Sequence, residues 1–247
     1  RRTGVSRDRS RRSEYRAARI VSRTDLDREL FELVLDIDID FRAGQACFLR
    51  VPEVGEKPFS PAIAQPAAFL IKRRGAVTKA LGALTAGDTV FLRGPYGSGA
   101  GVITAERARS SRLHAFILTA GSGTALAPRL GRTIVAAGGS CETWIGLRDA
   151  ATRTPLEAPI AQLGPLYRVD DDGELGRVLV PFRERLRAFF ADGGTDRAAV
   201  YTVGPEPFMR RAVAIALEAN LPPTSIFASL EQEMMCGVGL CGLCGHA

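Results

Sequence analysis

The sequence predicts a β plus α/β fold: an antiparallel β-barrel, then a parallel-sheet α/β domain, then a short cysteine-rich C-terminal loop. Three observations predict it. Apolar and charged residues alternate in the first half of the chain. After about residue 110, short apolar runs alternate with helical stretches. Three of the five cysteines fall within the last twelve residues.

In chain order, residues 1–14 carry Arg1, Arg2, Arg7, Arg9, Arg11 and Arg12 against Asp8 and Glu14, and read as a solvated basic tail. Residues 15–108 are expected to form the barrel. Phe31, Leu33, Leu35, Ile37, Ile39 and Phe41 alternate with Glu32, Asp36, Asp38 and Asp40, a period of two that leaves one face buried and one wet. Further strands are expected at 47–51, 69–72 and 89–93, separated by Gly and Pro turns, as in a small antiparallel barrel. A polar, Arg-rich link at 104–112 closes this domain. Residues 109–228 are expected to form the parallel sheet, with strands at 115–119, 143–147, 166–169 and 199–203. Helices are expected at 128–137, 181–190 and 207–220. Pro207 suits a first helical turn, where its missing N–H costs nothing.

Composition narrows the class of function. The formal charge is +6, of which the tail holds +4, so the remainder leaves no nucleic-acid footprint. No apolar run approaches the roughly 18 residues of a membrane span. Five cysteines in 247 residues, three of them clustered, do not make an extracellular disulfide scaffold, and point to metal or cluster ligation in a reducing, cytoplasmic compartment.

Cys236, Cys241 and Cys244 have the spacing C-x4-C-x2-C, three of the four ligands of a plant-type 2Fe-2S pattern. Gly237, Gly239, Gly242 and Gly245 interleave them. A loop that aims backbone N–H groups at sulfur needs positive φ, which glycine adopts cheaply. Free thiols and a zinc site are the competing readings. Zinc motifs usually pair two C-x2-C units. Cys47 and Cys141 read as core thiols and His246 as a loop residue.

Ser229-Leu230-Glu231 followed by Met235 to Cys244 resembles the S-L-E-x3-M-C-G-x-G-x-C-x2-C stretch of a ferredoxin-reductase subgroup. That subgroup includes gamma subunits of NAD(P)-linked nickel–iron hydrogenases, the B subunit of anaerobic sulfite reductase and the electron-transfer subunit of dihydroorotate dehydrogenase. The resemblance spans residues 15–247. It implies an FAD-binding barrel, a nucleotide-binding domain for NAD or NADP, and a 2Fe-2S loop at 229–247. The family's fourth cysteine and its D-G-P-V-like segment are absent, as is an initiator Met, so the sequence is expected to be incomplete at both ends.

The resemblance assigns the flavin to Lys57, Pro58, Phe59 and Ser60, where the family has R-x-[YF]-[ST]. Lys57 supplies charge without the fork of an arginine. Gly75, Val77 and Thr78 match the phosphate-binding G-x-[VG]-[ST]. Gly94 to Gly97, with Tyr96, match the turn that closes the barrel, and Gly44-Gln45 resembles P-G-Q. Gly121 and Gly123 lie in a strand-to-helix turn where glycines would admit phosphates to a helix N-terminus. Arg148 stands in the family's G-x-R-[ST], Asp172 in its D-D-G-S-x-G, and Gly204 and Pro205 in its G-P segment near the nicotinamide. No catalytic residue beyond the cofactors is expected, because the cofactor carries the chemistry of hydride transfer.

The expected function is an electron-transfer subunit linking NAD(P)H, FAD and a 2Fe-2S cluster to a catalytic redox subunit. Gly242-Leu243-Cys244 and Val54-Gly55-Glu56 favour a hydrogenase- or sulfite-reductase-like complex over dihydroorotate dehydrogenase. A non-catalytic scaffold or redox sensor is the reading from another class.

Overall fold

The computed structural model describes residues 14–99, 112–147, 151–170, 177–230 and 233–244. Seven strands form one antiparallel sheet: β1 (Arg16–Asp25), β2 (Leu30–Leu35), β3 (Ala46–Val51), β4 (Gly55–Phe59), β5 (Pro61–Ala64), β6 (Ala67–Lys72) and β7 (Thr89–Tyr96). Their order is β4-β3-β7-β1-β2-β6-β5. The two end strands, β4 and β5, are consecutive in the chain, with Ser60 alone between them. Neighbouring strands lie about 4.8 Å apart, so one residue cannot bridge a flat sheet of this width. The sheet must curl until its edges meet. Phe31, Leu33, Leu35, Leu49, Phe69, Ile71 and Leu92 fill the interior.

The alternation expected through Phe41 ends as a strand at Leu35. Asp36 stops the ladder: its carboxylate accepts the Arg19 N–H at 2.7 Å. Ile39 and Phe41 stay in the core from an irregular segment, where the Ile39 N–H donates to the Ala64 carbonyl at 3.0 Å. The sequence reading missed helix α1 (Ala76–Ala83). With only Val77 and Leu81 buried on one face, α1 is too short for its period to stand out.

Five parallel strands follow: β8 (His114–Ala120), β9 (Ser140–Leu147), β10 (Leu166–Asp170), β11 (Ala198–Val203) and β12 (Ile226–Ala228), in the order β10-β9-β8-β11-β12. Helices α2 (Ala127–Ala136) and α3 (Glu157–Ala161) cover one face, and α4 (Leu179–Ala191) and α5 (Glu206–Glu218) cover the other. The period of two divides β8 between the layers. Ala115 and Ile117 pack with Leu130, Ile134 and Ile160, while Phe116 and Leu118 pack with Phe182, Leu186 and Phe208. The expected helices at 128–137, 181–190 and 207–220 correspond to α2, α4 and α5.

The two sheets share a core. Leu30, Ala62 and Leu70 of the barrel join Ala125, Leu126 and Ala127 in one buried cluster. Arg129 of α2 reaches Asp40 at 3.8 Å and lies over the Phe41 ring. Apart from Arg112, the expected link at 104–112 lies outside the described residues. Among the described residues no helix is long and apolar enough to cross a membrane.

Candidate functional site

Lys57, Pro58 and Phe59 lie on β4, and Ser60 sits exposed at the seam where the sheet edges meet. Gly75, Val77 and Thr78 open helix α1, which packs on β3 and β4. A Cβ placed on Gly55 would lie 3.6 Å from Val77 Cγ2, so the structure brings these two segments together. Thr78 acts within its own turn. Its hydroxyl donates to the Gly75 carbonyl at 3.0 Å and accepts the Arg74 and Gly75 N–H groups at 2.8 and 3.0 Å. The next amides, of Ala76 and Val77, have no carbonyl one turn back to bond. No acidic residue stands in this first turn. Arg74 and Lys79 flank it in the chain, and exposed Lys57 lies on the neighbouring strand. This end of α1 suits the phosphates of a dinucleotide such as FAD in charge and in free donors.

The parallel sheet reverses its direction of growth between β8 and β11. Such a switch point leaves a crevice beyond the C-terminal strand ends. Gly121 and Gly123 follow β8, and Gly204 and Pro205 follow β11, so both pairs line this crevice. The glycines lie between strand and helix, where the sequence reading put them. Residues Gly121–Leu126 form a 3-10 turn, and α2 starts only at Ala127. The turn is held by close approach: a Cβ on Gly123 would meet the Val203 carbonyl oxygen at 2.6 Å. Its Ala125 and Leu126 bury against the barrel. The segment therefore serves both as crevice floor and as contact between the sheets. Arg148 and Asp172 lie outside the described residues.

The cysteine loop returns from β12 to the barrel. Its anchor is Arg93 of β7, with a side chain 9% exposed. All five guanidinium N–H groups have acceptors. Nε and Nη2 form a fork on the Glu56 carboxylate at 3.1 and 2.7 Å. Nη1 donates to the Tyr96 hydroxyl and the Cys236 carbonyl, both at 3.1 Å, and Nη2 to the Met235 carbonyl at 2.7 Å. The guanidinium also lies 3.8 Å from the Phe48 ring centroid. Gly237, at φ +78°, rests on Tyr96 and Phe48, and a Cβ there would come within 2.9 Å of the Tyr96 ring. Tyr96, expected at the flavin, is thus buried under the cysteine loop.

Within the loop, the Cys236 thiol is lowered from 9.0 to about 6 by hydrogen bonds from the Cys241 and Val238 backbone and the Cys241 side chain. Burial raises Cys47 to about 12 and Cys141 to about 11. Of these three thiols, Cys236 is the one shifted toward the thiolate, the form that ligates metal. The donor type fits iron. The three sulfurs are not drawn together here: among the described residues no three His, Cys, Asp or Glu side chains lie close enough to hold a metal ion.

No family model matches the chain. It is 30% identical over 217 residues to the protein named probable dihydroorotate dehydrogenase B (NAD(+)), electron transfer subunit in Methanocaldococcus jannaschii, covering 85% of this chain and 76% of that one. The chain belongs to the family of ferredoxin-reductase-type electron-transfer subunits. The dihydroorotate dehydrogenase B electron transfer subunit of Shouchella clausii is 29% identical over 238 residues, covering 91% of this chain and 85% of that one. Among solved structures, the NADH-dependent reduced ferredoxin-NADP oxidoreductase superposes with a TM-score of 0.72 at 21% identity, over 92% of this chain and 80% of that one. The ferredoxin reductase of carbazole 1,9a-dioxygenase superposes with a TM-score of 0.64 at 19% identity, over 87% and 69%. At these identities the two structures establish a shared fold. For this ferredoxin-reductase-type subunit, sequence reasoning missed Arg93, and it named Gln45 and Glu56 without their contacts. Gln45 ties its turn to the barrel-closing turn by donating to the Gly97 carbonyl at 2.7 Å. Arg93 and Glu56 are far apart in sequence, and only the pairing of β3 with both β4 and β7 brings them together.

Proposed function

We propose that the chain is the electron-transfer subunit of a dihydroorotate dehydrogenase B-type complex, working between NAD and a catalytic partner subunit through FAD and a 2Fe-2S cluster. The hydrogenase- or sulfite-reductase-like complex expected first gives way to this reading, because both curated relatives described above carry the dihydroorotate dehydrogenase name over most of their length. Their names specify NAD(+), which favours NAD over NADP.

The geometric observation that carries the reading is the docking of the cysteine loop by Arg93 onto Glu56, the residue beside Lys57 of the flavin signature. Bound FAD would supply a centre that exchanges a hydride with the nicotinamide, and a bound 2Fe-2S cluster would supply one-electron transfer. This chain's residues would do the holding. The Ala76 and Val77 amides, Gly75 and Lys57 would bind the flavin pyrophosphate. Ser60, Phe59 and Pro58 would set the ring at the barrel seam. Gly121, Gly123, Gly204 and Pro205 would shape the nucleotide crevice. Cys236, Cys241 and Cys244 would ligate iron.

Purification of the complex from its native host tests this reading. The expected result is stoichiometric FAD released on denaturation and a copurifying subunit with which the protein couples dihydroorotate oxidation to NAD reduction. A hydrogenase or sulfite reductase partner would contradict the dihydroorotate reading. A colourless protein would leave the scaffold reading in its place.

A further inference from the structure

We infer that Arg93 is a positioning residue: it sets the place of the cysteine loop relative to the flavin strand β4, and Glu56 sets Arg93. This rests on the reading of the loop as the cluster segment and deepens it.

The argument is one of donor geometry. A guanidinium presents five N–H groups in a fixed plane, and here each has an acceptor. Two point at one carboxylate, one at a phenol and two at consecutive carbonyls of the loop. The Glu56 fork fixes the plane, and Tyr15 holds the same carboxylate by donating to Oε2 at 2.6 Å. Phe48 supports the guanidinium face. Once the plane is fixed, the Met235 and Cys236 carbonyls have one place to go. Gly237 then allows the loop to lie flat on Tyr96 and Phe48, where any side chain would lift it. A lysine at 93 would keep the charge but has three donors and no fork, so it could not serve all five acceptors.

Surface charge pairing would not need this arrangement. Arg93 is buried, and the carbonyls it serves belong to the segment that carries the three loop cysteines. Leu240, Val238 and Met235 of that segment are exposed. Removing Arg93 should therefore release the loop while leaving the β-barrel closed.

Hydrogen exchange in the cofactor-loaded complex tests this, read on peptides covering residues 233–244. In Arg93→Lys, exchange there should quicken about ten-fold or more, as expected for the loss of charge-assisted hydrogen bonds. Exchange of β8 and β11 and the flavin content should not change. Gly237→Ala gives the same loop result from the other side of the contact, with every barrel residue unchanged, and covers the case in which Arg93→Lys fails to fold. Electron paramagnetic resonance of the reduced protein adds a readout that a general packing defect would not move: one uniform signal in the unsubstituted protein and a heterogeneous one in Arg93→Lys. Unchanged loop exchange in both variants, or a loop already unprotected in the unsubstituted protein, would overturn the inference. A protected loop without any iron signal would sustain the positioning role and overturn the cluster reading alone.

Discussion

Burial alone would raise the Glu56 carboxyl, but hydrogen bonds from Arg93 and Tyr15 and the charges of Arg93 and Arg50 outweigh it and hold the acid below its usual range. A group depressed in the folded state stabilises above its unfolded pKa, about 4.3 for glutamate, and loses that contribution as pH falls through the folded value. The cysteine loop should therefore loosen on acidification below about pH 4. Glu56→Gln should remove that pH step. Hydrogen exchange of residues 233–244, corrected for the intrinsic effect of pH, would follow it, and an unchanged acid profile in Glu56→Gln would contradict the account. The thiols give a second prediction. At pH 7 Cys236, at about 6, is mostly thiolate, whereas Cys47 and Cys141, at about 12 and about 11, are almost wholly neutral. In protein stripped of iron, alkylation followed by peptide mapping should find Cys236 modified well before the other two. Equal labelling of Cys47 and Cys236 would contradict it. The loop cysteines were legible from spacing. Arg93 was not, because nothing local in Leu92-Arg93-Gly94 separates a buried five-donor hub from a surface arginine.

At the scale of elements, the long strands and helices were legible because their periods run over several residues. Strands β4, β5 and β12 have five, four and three residues, too few for a pattern, and β1 alternates weakly because its face is mixed. The Gly-rich segment after β8 carries a packing constraint that its motif does not reveal. Gly123 has to admit the Val203 carbonyl, which lies against it, whatever else the turn binds. Gly123→Ala should force the 3-10 turn away from β11. The expected cost is about 1–3 kcal/mol of stability, the usual range for overpacking, measured by chemical denaturation. Weakened nucleotide binding should accompany it, since Gly204 shares the crevice. A substitution that leaves both unchanged would show that the turn has room to spare.

At the scale of the molecule, the order of barrel, parallel sheet and cysteine loop followed from the sequence, since each segment carries its own periodicity or spacing. The way the parts meet did not. The shared core of Leu30, Leu70, Ala125 and Leu126, and the return of the loop to Arg93, depend on contacts between residues far apart in the chain. The relatives favour the dihydroorotate dehydrogenase alternative over the reading first drawn from short motifs such as Gly242-Leu243-Cys244, because a surface loop common to a whole subgroup carries little about which catalytic subunit it meets. The central claim is that one rigid arrangement carries electrons from nicotinamide to the cysteine loop. Anaerobic addition of NADH to the native complex, followed in the visible spectrum, tests it most directly. The account predicts that the flavin absorbance bleaches and an iron–sulfur band falls after it, with the second step slowed in Arg93→Lys. A flavin that NADH leaves oxidised, or a protein with no visible absorbance, would contradict it.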